Sequence, residues 1–207
     1  MCPSIEAIIF DLGKVIVDFD HRTISAQIAQ SSTYAEDDVF QSMFSADIVR
    51  LVDSGRLQPE ALYELLKQKL NLTISQDGFK RIWNDIFSLN PGIDTLIHNL
   101  ASRYRLVCLS NTNRWHFEYC RERFPALDRF DAFILSYQVG TCKPDPAIYR
   151  HAVAAAGTDA CRCIYVDDIP EFVRAGEALG LRGIQFLSVP QLTEALRSMN
   201  VIGHCSS

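Results

Sequence analysis

The sequence predicts an α/β fold: a doubly wound parallel sheet carrying an all-helical insertion. Three observations lead there. Apolar runs of four or five residues at 7–10, 106–109, 132–135, 163–166 and 183–187 are too short for helices and rich in Ile, Leu, Val and Phe, as buried strands are. Between the later runs lie segments of helical spacing, and strands alternating with helices build parallel sheets covered on both faces. After the first run, residues 18–88 instead keep helical spacing without a strand signal. The expected organisation is an α/β core from 1–17 and 89–207, with 18–88 as a small helical bundle set into it.

The elements follow in order. The run at 7–10 is a strand ending at Asp11, and 15–19 alternates as a short extended flap. Helices are expected over 21–30, 35–44, 59–70 and 75–87, with a shorter turn at 48–52 closed by Ser54 and Gly55. Pro59 suits the first position of its helix. Asn90 and Pro91 read as an N-cap and N1 proline opening a helix through Leu100. A strand at 106–109 leads through the polar loop 110–113 to a helix at 115–124. Asp145 and Pro146 open a helix that Gly157 ends. Pro170 opens the helix after the strand at 163–166, and Gly180 closes it. A strand at 183–187, a helix at 190–199 and a loose tail from Gly203 complete the chain.

Composition narrows the function. The 207 residues are 48% hydrophobic, the usual make-up of a globular chain. A net charge of -5 opposes nonspecific nucleic-acid binding, which needs a basic face. No stretch approaches the ~20 apolar residues of a membrane span, and the N-terminus lacks the basic and apolar regions of a signal peptide. A cytoplasmic location is expected. The seven cysteines include no C-x-x-C pair, so they read as structural thiols rather than metal or redox groups.

Polar residues stand at several strand ends. Asp11 follows the first strand, Ser110, Asn111 and Thr112 the second, and Asp167 and Asp168 the fourth; Lys143 precedes the Asp145 cap. In a sheet of this kind the carboxyl ends converge on one edge, where ligands bind. Three carboxylates on that edge repel one another, and one lysine does not neutralise them. A hard divalent cation held by oxygens would, and Mg2+ commonly uses one or two carboxylates, water and a substrate phosphate. Taken singly, each residue also has a plainer reading as a cap, a turn residue or a solvated charge.

In sequence order, FDLGKV, LSNTN, KPDP and VDD, with a helical insertion after the first, resemble the four motifs of the haloacid dehalogenase superfamily. The resemblance covers nearly the whole chain; the insertion resembles the helical (C1) cap, and the motif strings resemble the branch of small bacterial sugar-phosphate phosphatases such as glucose-1-phosphate phosphatase. It implies a Rossmann-like core and a Mg2+-dependent phosphomonoester hydrolase acting on a small phosphorylated metabolite, with sugar phosphates among the expected substrates. Asp11 would be the nucleophile, forming an aspartyl-phosphate, and also a metal ligand with the Gly13 carbonyl and Asp168, supported by Asp167. Ser110 and the amides of Asn111 and Thr112 would hold the phosphoryl oxygens, and Lys143 would offset charge on Asp11 and the transferring group.

Two positions depart from the family pattern. Gly13 stands where most of these phosphatases carry a second Asp as general acid and base, although the sugar-phosphatase branch also has Gly there. Phe172 stands where motif four usually has Asn or Asp, which implies weaker Mg2+ binding. Asp18 and Asp20 are candidate replacement acids, with Asp20 better suited to capping the first inserted helix. Arg114, Trp115 and His116 follow the second motif, where a packing tryptophan at a helix start is the simpler reading. Two other functions fit the same motifs. A metal-independent 2-haloacid dehalogenase would use Asp11 on carbon, and a catalytically weakened binding protein would suit Gly13 and Phe172. Sequence does not give the oligomeric state.

Overall fold

The structure, a computed structural model, describes residues 4–203. The tail at 204–207, Cys2 and Cys205 lie outside the described residues. Five parallel strands form the main sheet: β1 (Ala7–Phe10), β4 (Arg105–Ser110), β5 (Ala132–Leu135), β6 (Cys163–Asp167) and β7 (Arg182–Gln185), in the order β5-β4-β1-β6-β7. A two-residue strand β2 (Val17–Asp18) pairs antiparallel with β3 (Ser88–Leu89).

The two-residue period of the strands sorts their side chains between two cores. Ile8 and Phe10 of β1, Leu106 and Cys108 of β4, and Ile164 and Val166 of β6 face one cluster. It also holds Ile97 of α6 (Ile93–Ala101), Cys120 of α7 (Arg114–Arg123) and Leu192 of α11 (Val189–Ser198). The alternate residues Ala7, Ile9, Val107, Leu109, Cys163 and Tyr165 face a second cluster with Ile148 and Tyr149 of α9 (Pro146–Ala156). Both faces of the sheet are thus covered, as the alternation of strands and helices predicts.

Between β2 and β3 lie α1 (His21–Ala29), α2 (Glu36–Phe44), α3 (Ala46–Asp53), α4 (Pro59–Lys69) and α5 (Gln76–Asn84). Their apolar faces meet in a third cluster that includes Ile28, Met43, Leu66, Phe79 and Trp83. Asp20 caps α1, its carboxylate accepting from the Arg22 amide at 2.8 Å. The shorter turn expected at 48–52 is a full helix, α3. Two further helices are α8 (Ser136–Val139) and α10 (Pro170–Glu177), and Pro125–Arg129 and Ala160–Arg162 are short 3-10 turns.

Asn90 departs from its expected role. The helix starts at Ile93, with Gly92 at φ +83° in the cap position. The Asn90 side-chain amide instead donates to the carbonyls of Lys14 and Val15, both at 2.8 Å. The returning chain is thereby fastened to the flap, whose two carbonyls would otherwise lack these donors. The β2–β3 ribbon has only two residues per strand, too few for any periodicity to betray it.

Candidate active site

Parallel register places the strand ends level. Phe10 pairs with Cys108 on one side and Val166 on the other, so the next residues, Asp11 and Asp167, stand side by side with Ser110 beyond. The Asp11 amide donates to Val166 O at 2.9 Å, and the Leu12 amide donates to Asp11 Oδ1 at 2.7 Å. Carboxylate oxygens of Asp11, Asp167 and Asp168 lie within 4.8 Å of one another.

Lys143 enters this group from the loop before α9. Its ammonium stands 2.9 Å from Asp11 Oδ1 and 2.6 Å from Asp167 Oδ2, with its side chain 1% exposed. Burial opposes its charge, but Asp11 and Asp167 outweigh burial and hold the lysine firmly protonated. Burial raises Asp11 to about 7; Lys143 counters this and Asp167 adds to it. Asp168 is raised by burial and then by Asp167. One ammonium does not offset three acids, and the all-oxygen donor set suits a hard divalent cation. Asp167 has little to spare for a cation: it accepts from Lys143, from the Tyr165 hydroxyl and from the Ile169 amide at 2.9 Å. Asp11 and Asp168 have the freer carboxylate oxygens.

The polar loop after β4 has a structure of its own. Asn111 Nδ2 donates to Lys143 O at 3.0 Å, and Asn111 Oδ1 accepts the Lys143 amide at 2.8 Å. This two-bond clasp fixes the backbone from which the lysine projects. The Thr112 amide donates to the buried Ser136 Oγ at 3.0 Å, which ties the β4 loop to α8. Ser110 is buried at the end of β4, and Asn113 caps α7 by accepting from the His116 amide at 3.1 Å.

A cavity of about 200 Å³ connects this edge to the inserted helices; Asp11, Gly13, Ser110, Asn111, Thr112, Lys143 and Asp168 all line it. Along its wall six rings form a closed cycle. Centroids are 4.8 Å apart from Phe19 to His21, 4.5 Å from His21 to Phe44 and 5.7 Å from Phe44 to Trp83. They are 4.9 Å apart from Trp83 to His116, 4.9 Å from His116 to Phe87 and 5.6 Å from Phe87 back to Phe19. Burial lowers His21 to about 4 and His116 to about 3, so both are neutral rings. Of the three residues after the second motif, His116 lines the cavity. Trp115 packs in the insertion's core and, with Arg114, bonds Glu60. Asp18, exposed, is paired with Lys14 at 2.6 Å.

A profile described as haloacid dehalogenase-like hydrolase matches residues 5–180. The chain belongs to the haloacid dehalogenase-like hydrolases. The family expected from the motifs is borne out, and with it the α/β core and the class of enzyme. Among curated relatives, the D-ribitol-5-phosphate phosphatase of Bacteroides thetaiotaomicron is 25% identical over 188 residues, 87% of this chain and 91% of that one. The sesquiterpene phosphatase astK of Aspergillus oryzae is 24% identical over 186 residues, 89% and 91% of the two chains. Among solved structures, a haloacid dehalogenase family enzyme of B. thetaiotaomicron superposes with a TM-score of 0.85 at 20% identity, over 94% of this chain and 100% of that one. The same enzyme has been solved in complex with magnesium and inorganic phosphate.

Two features set this hydrolase apart from the usual family pattern, and both have physical partners. A Cβ at Gly13 would meet Phe19 Cε1 at 2.9 Å, so the collar ring occupies the space an aspartate there would need. Phe172, in place of a motif-four Asn or Asp, sets its ring 5.1 Å from the Lys143 ammonium. Asp53, Phe44 and Trp83 also line the cavity, and nothing in the sequence marks them for it. Helical periodicity marks their apolar faces but not which face looks onto the sheet edge.

Proposed function

We propose that this hydrolase is a Mg2+-dependent phosphomonoesterase acting on a small phosphorylated metabolite through an aspartyl-phosphate on Asp11. The observation that carries the reading is the meeting of Asp11, Asp167 and Asp168 oxygens within 4.8 Å, with the Lys143 ammonium against two of them. The relatives named as phosphatases support it. Asp11, the Gly13 carbonyl and Asp168 would hold the metal, with Asp167 behind them. When bound, Mg2+ would lower the charge on the phosphoryl oxygens and keep Asp11 ionised.

The chain's own residues do the rest. One oxygen of Asp11 attacks phosphorus, the ester P–O bond breaks, and the departing alkoxide takes a proton from water. Lys143 offsets the negative charge of Asp11 and of the transferring group, and Asn111 holds Lys143 in place through its backbone. Ser110 and the Asn111 amide would bind phosphoryl oxygens. Water then attacks the acyl phosphate, releasing phosphate and restoring Asp11. We treat residues 18–88 as a cap over a core of 1–17 and 89–207, closing the cavity during turnover. The setting we propose is the cytoplasm; no helix among the described residues is long and apolar enough to cross a membrane. Dehalogenation fits less well, because Asp167 and Asp168 would repel the carboxylate of a 2-haloacid.

Phosphate release from a broad panel of phosphomonoesters tests the reading. Release is expected with MgCl2, and its loss in EDTA and in Asp11→Asn. Halide release that persists in EDTA would overturn it.

A further inference from the structure

The cavity that holds the acids is also lined by the cycle of six aromatic and imidazole rings. We infer that the organic part of the substrate is apolar, an alkyl or aryl group seated against the six-ring collar; this rests on the phosphomonoesterase reading above. The cycle from Phe19 through Trp83 to Phe87 lines the same cavity as Asp11 and Lys143, so a phosphoryl group on Asp11 directs its substituent toward those rings. Met43, Ile48, Val49 and Val52 extend the apolar surface along α2 and α3.

Away from the strand ends, the polar groups a sugar could reach include Asp53, His21 and the unpartnered Trp83 Nε1. His116 Nε2 is engaged by Trp83 O at 3.0 Å. Lys14 is turned to Asp18 at 2.6 Å and to Phe19 O at 2.5 Å. From the inserted helices only Asp53 brings a carboxyl to the lining. Asp53, the His21 ring and the Trp83 indole N–H together meet only part of the hydrogen-bonding groups of a polyol. A polyol would press the remainder against rings and aliphatic chains, losing water without replacement. An alkyl chain loses nothing there and gains from leaving water, as a phenyl ring does with the further benefit of edge and face contacts. Apolar walls with a few fixed polar groups at one end are the usual form of a site for an amphiphilic ligand.

The test uses intact esters and the full chain. Asp11→Asn protein in MgCl2 is titrated calorimetrically with methyl, butyl and hexyl phosphate and with ribitol 5-phosphate. Kd is expected to fall by about fourfold for each methylene that enters the cavity. Hexyl phosphate should bind at least tenfold more tightly than ribitol 5-phosphate. Val49→Asp, at a position already 36% exposed, should erase most of that preference, with thermal unfolding as the check on folding. Equal or tighter binding of ribitol 5-phosphate, no dependence on chain length, or no binding of any ester overturns the inference. Chain-length-dependent binding of esters that the wild-type protein fails to cleave supports it while ending the phosphomonoesterase reading. Cleavage of alkyl and polyol esters with equal kcat/KM does the reverse.

Discussion

Gly13 and Phe19 share one space: a Cβ on the glycine would lie 2.9 Å from Phe19 Cε1, inside contact distance. Phe19 is itself held by Phe87, His21 and the Lys14 ammonium, 4.8 Å from its ring. The absence of an acid at position 13 is therefore built into the collar. Gly13→Asp alone should lower both Tm and kcat, because the ring must move. Gly13→Asp with Phe19→Ala should make room for the acid and speed cleavage of esters with poor leaving groups by about 10²-fold relative to Phe19→Ala. Aryl esters, whose leaving groups need no proton, should gain little. Steady-state rates on hexyl and p-nitrophenyl phosphate separate the two.

Lys143 touches Asp11 and Asp167 at once, with both carboxylates nearly or fully buried. Lys143→Met would leave two buried acids without their cation, a change that typically costs roughly 3–5 kcal/mol when one partner of a buried pair is lost. Urea unfolding should show a loss of that order in the absence of metal. Phosphate release should fall by at least about 10²-fold, since the charge on the transferring group loses its counter-ion. Retention of wild-type stability would mean that the buried acids do not depend on the Lys143 charge.

Much of this site is written in the order of residues. Asp11, Ser110 and Asp167 end apolar runs, and parallel register then forces them together. The period of two sends Ile8 and Ile9 to opposite cores. Lys143 is different: only its motif marks it, because no periodicity says that a loop lysine turns into a buried site. Nor does sequence show Asn111 clasping Lys143 across 32 positions, or Asn90 reaching back to Lys14 and Val15. The collar is the least legible part. Its members come from the flap, α1, α2, α5, the residue before β3 and α7, and an aromatic in any of these places looks like ordinary core.

Asp53, the last residue of α3, gives a pH dependence of defined sign. Burial raises its carboxyl from 3.8 to about 7, with Lys143 pulling the other way. Between those values the folded chain holds a proton that the unfolded chain has released. Stability therefore falls as pH rises through this window. The cost is absent below about 4 and complete above about 7. Asp53→Asn should match the wild type in Tm at low pH and exceed it at pH 8, and the gap between the two should open progressively in between. A constant gap across pH 4–8 would show that the carboxyl titrates alike in both states.

Phe172 packs against the lysine that stands between the acids. Its ring faces the Lys143 ammonium at 5.1 Å, while its carbonyl accepts from the Tyr149 hydroxyl at 3.0 Å. The ring supports the lysine but offers no hydrogen bond to water on a metal, and groups in that outer position commonly change affinity about 10–100-fold. Phe172→Asn should therefore tighten Mg2+ binding by roughly tenfold, read by calorimetry on the protein without substrate. Because Tyr149 bonds the backbone of residue 172, the helix start should survive the change. The same substitution removes a cation–π contact worth about 0.5–2 kcal/mol, so a lower Tm without metal should accompany the gain. Saturating Mg2+ should then recover stability in the variant at lower concentration than in the wild type, since a ligand that binds only the folded chain stabilises it in proportion to its affinity. Unchanged Mg2+ affinity would mean that the metal's water shell does not reach position 172.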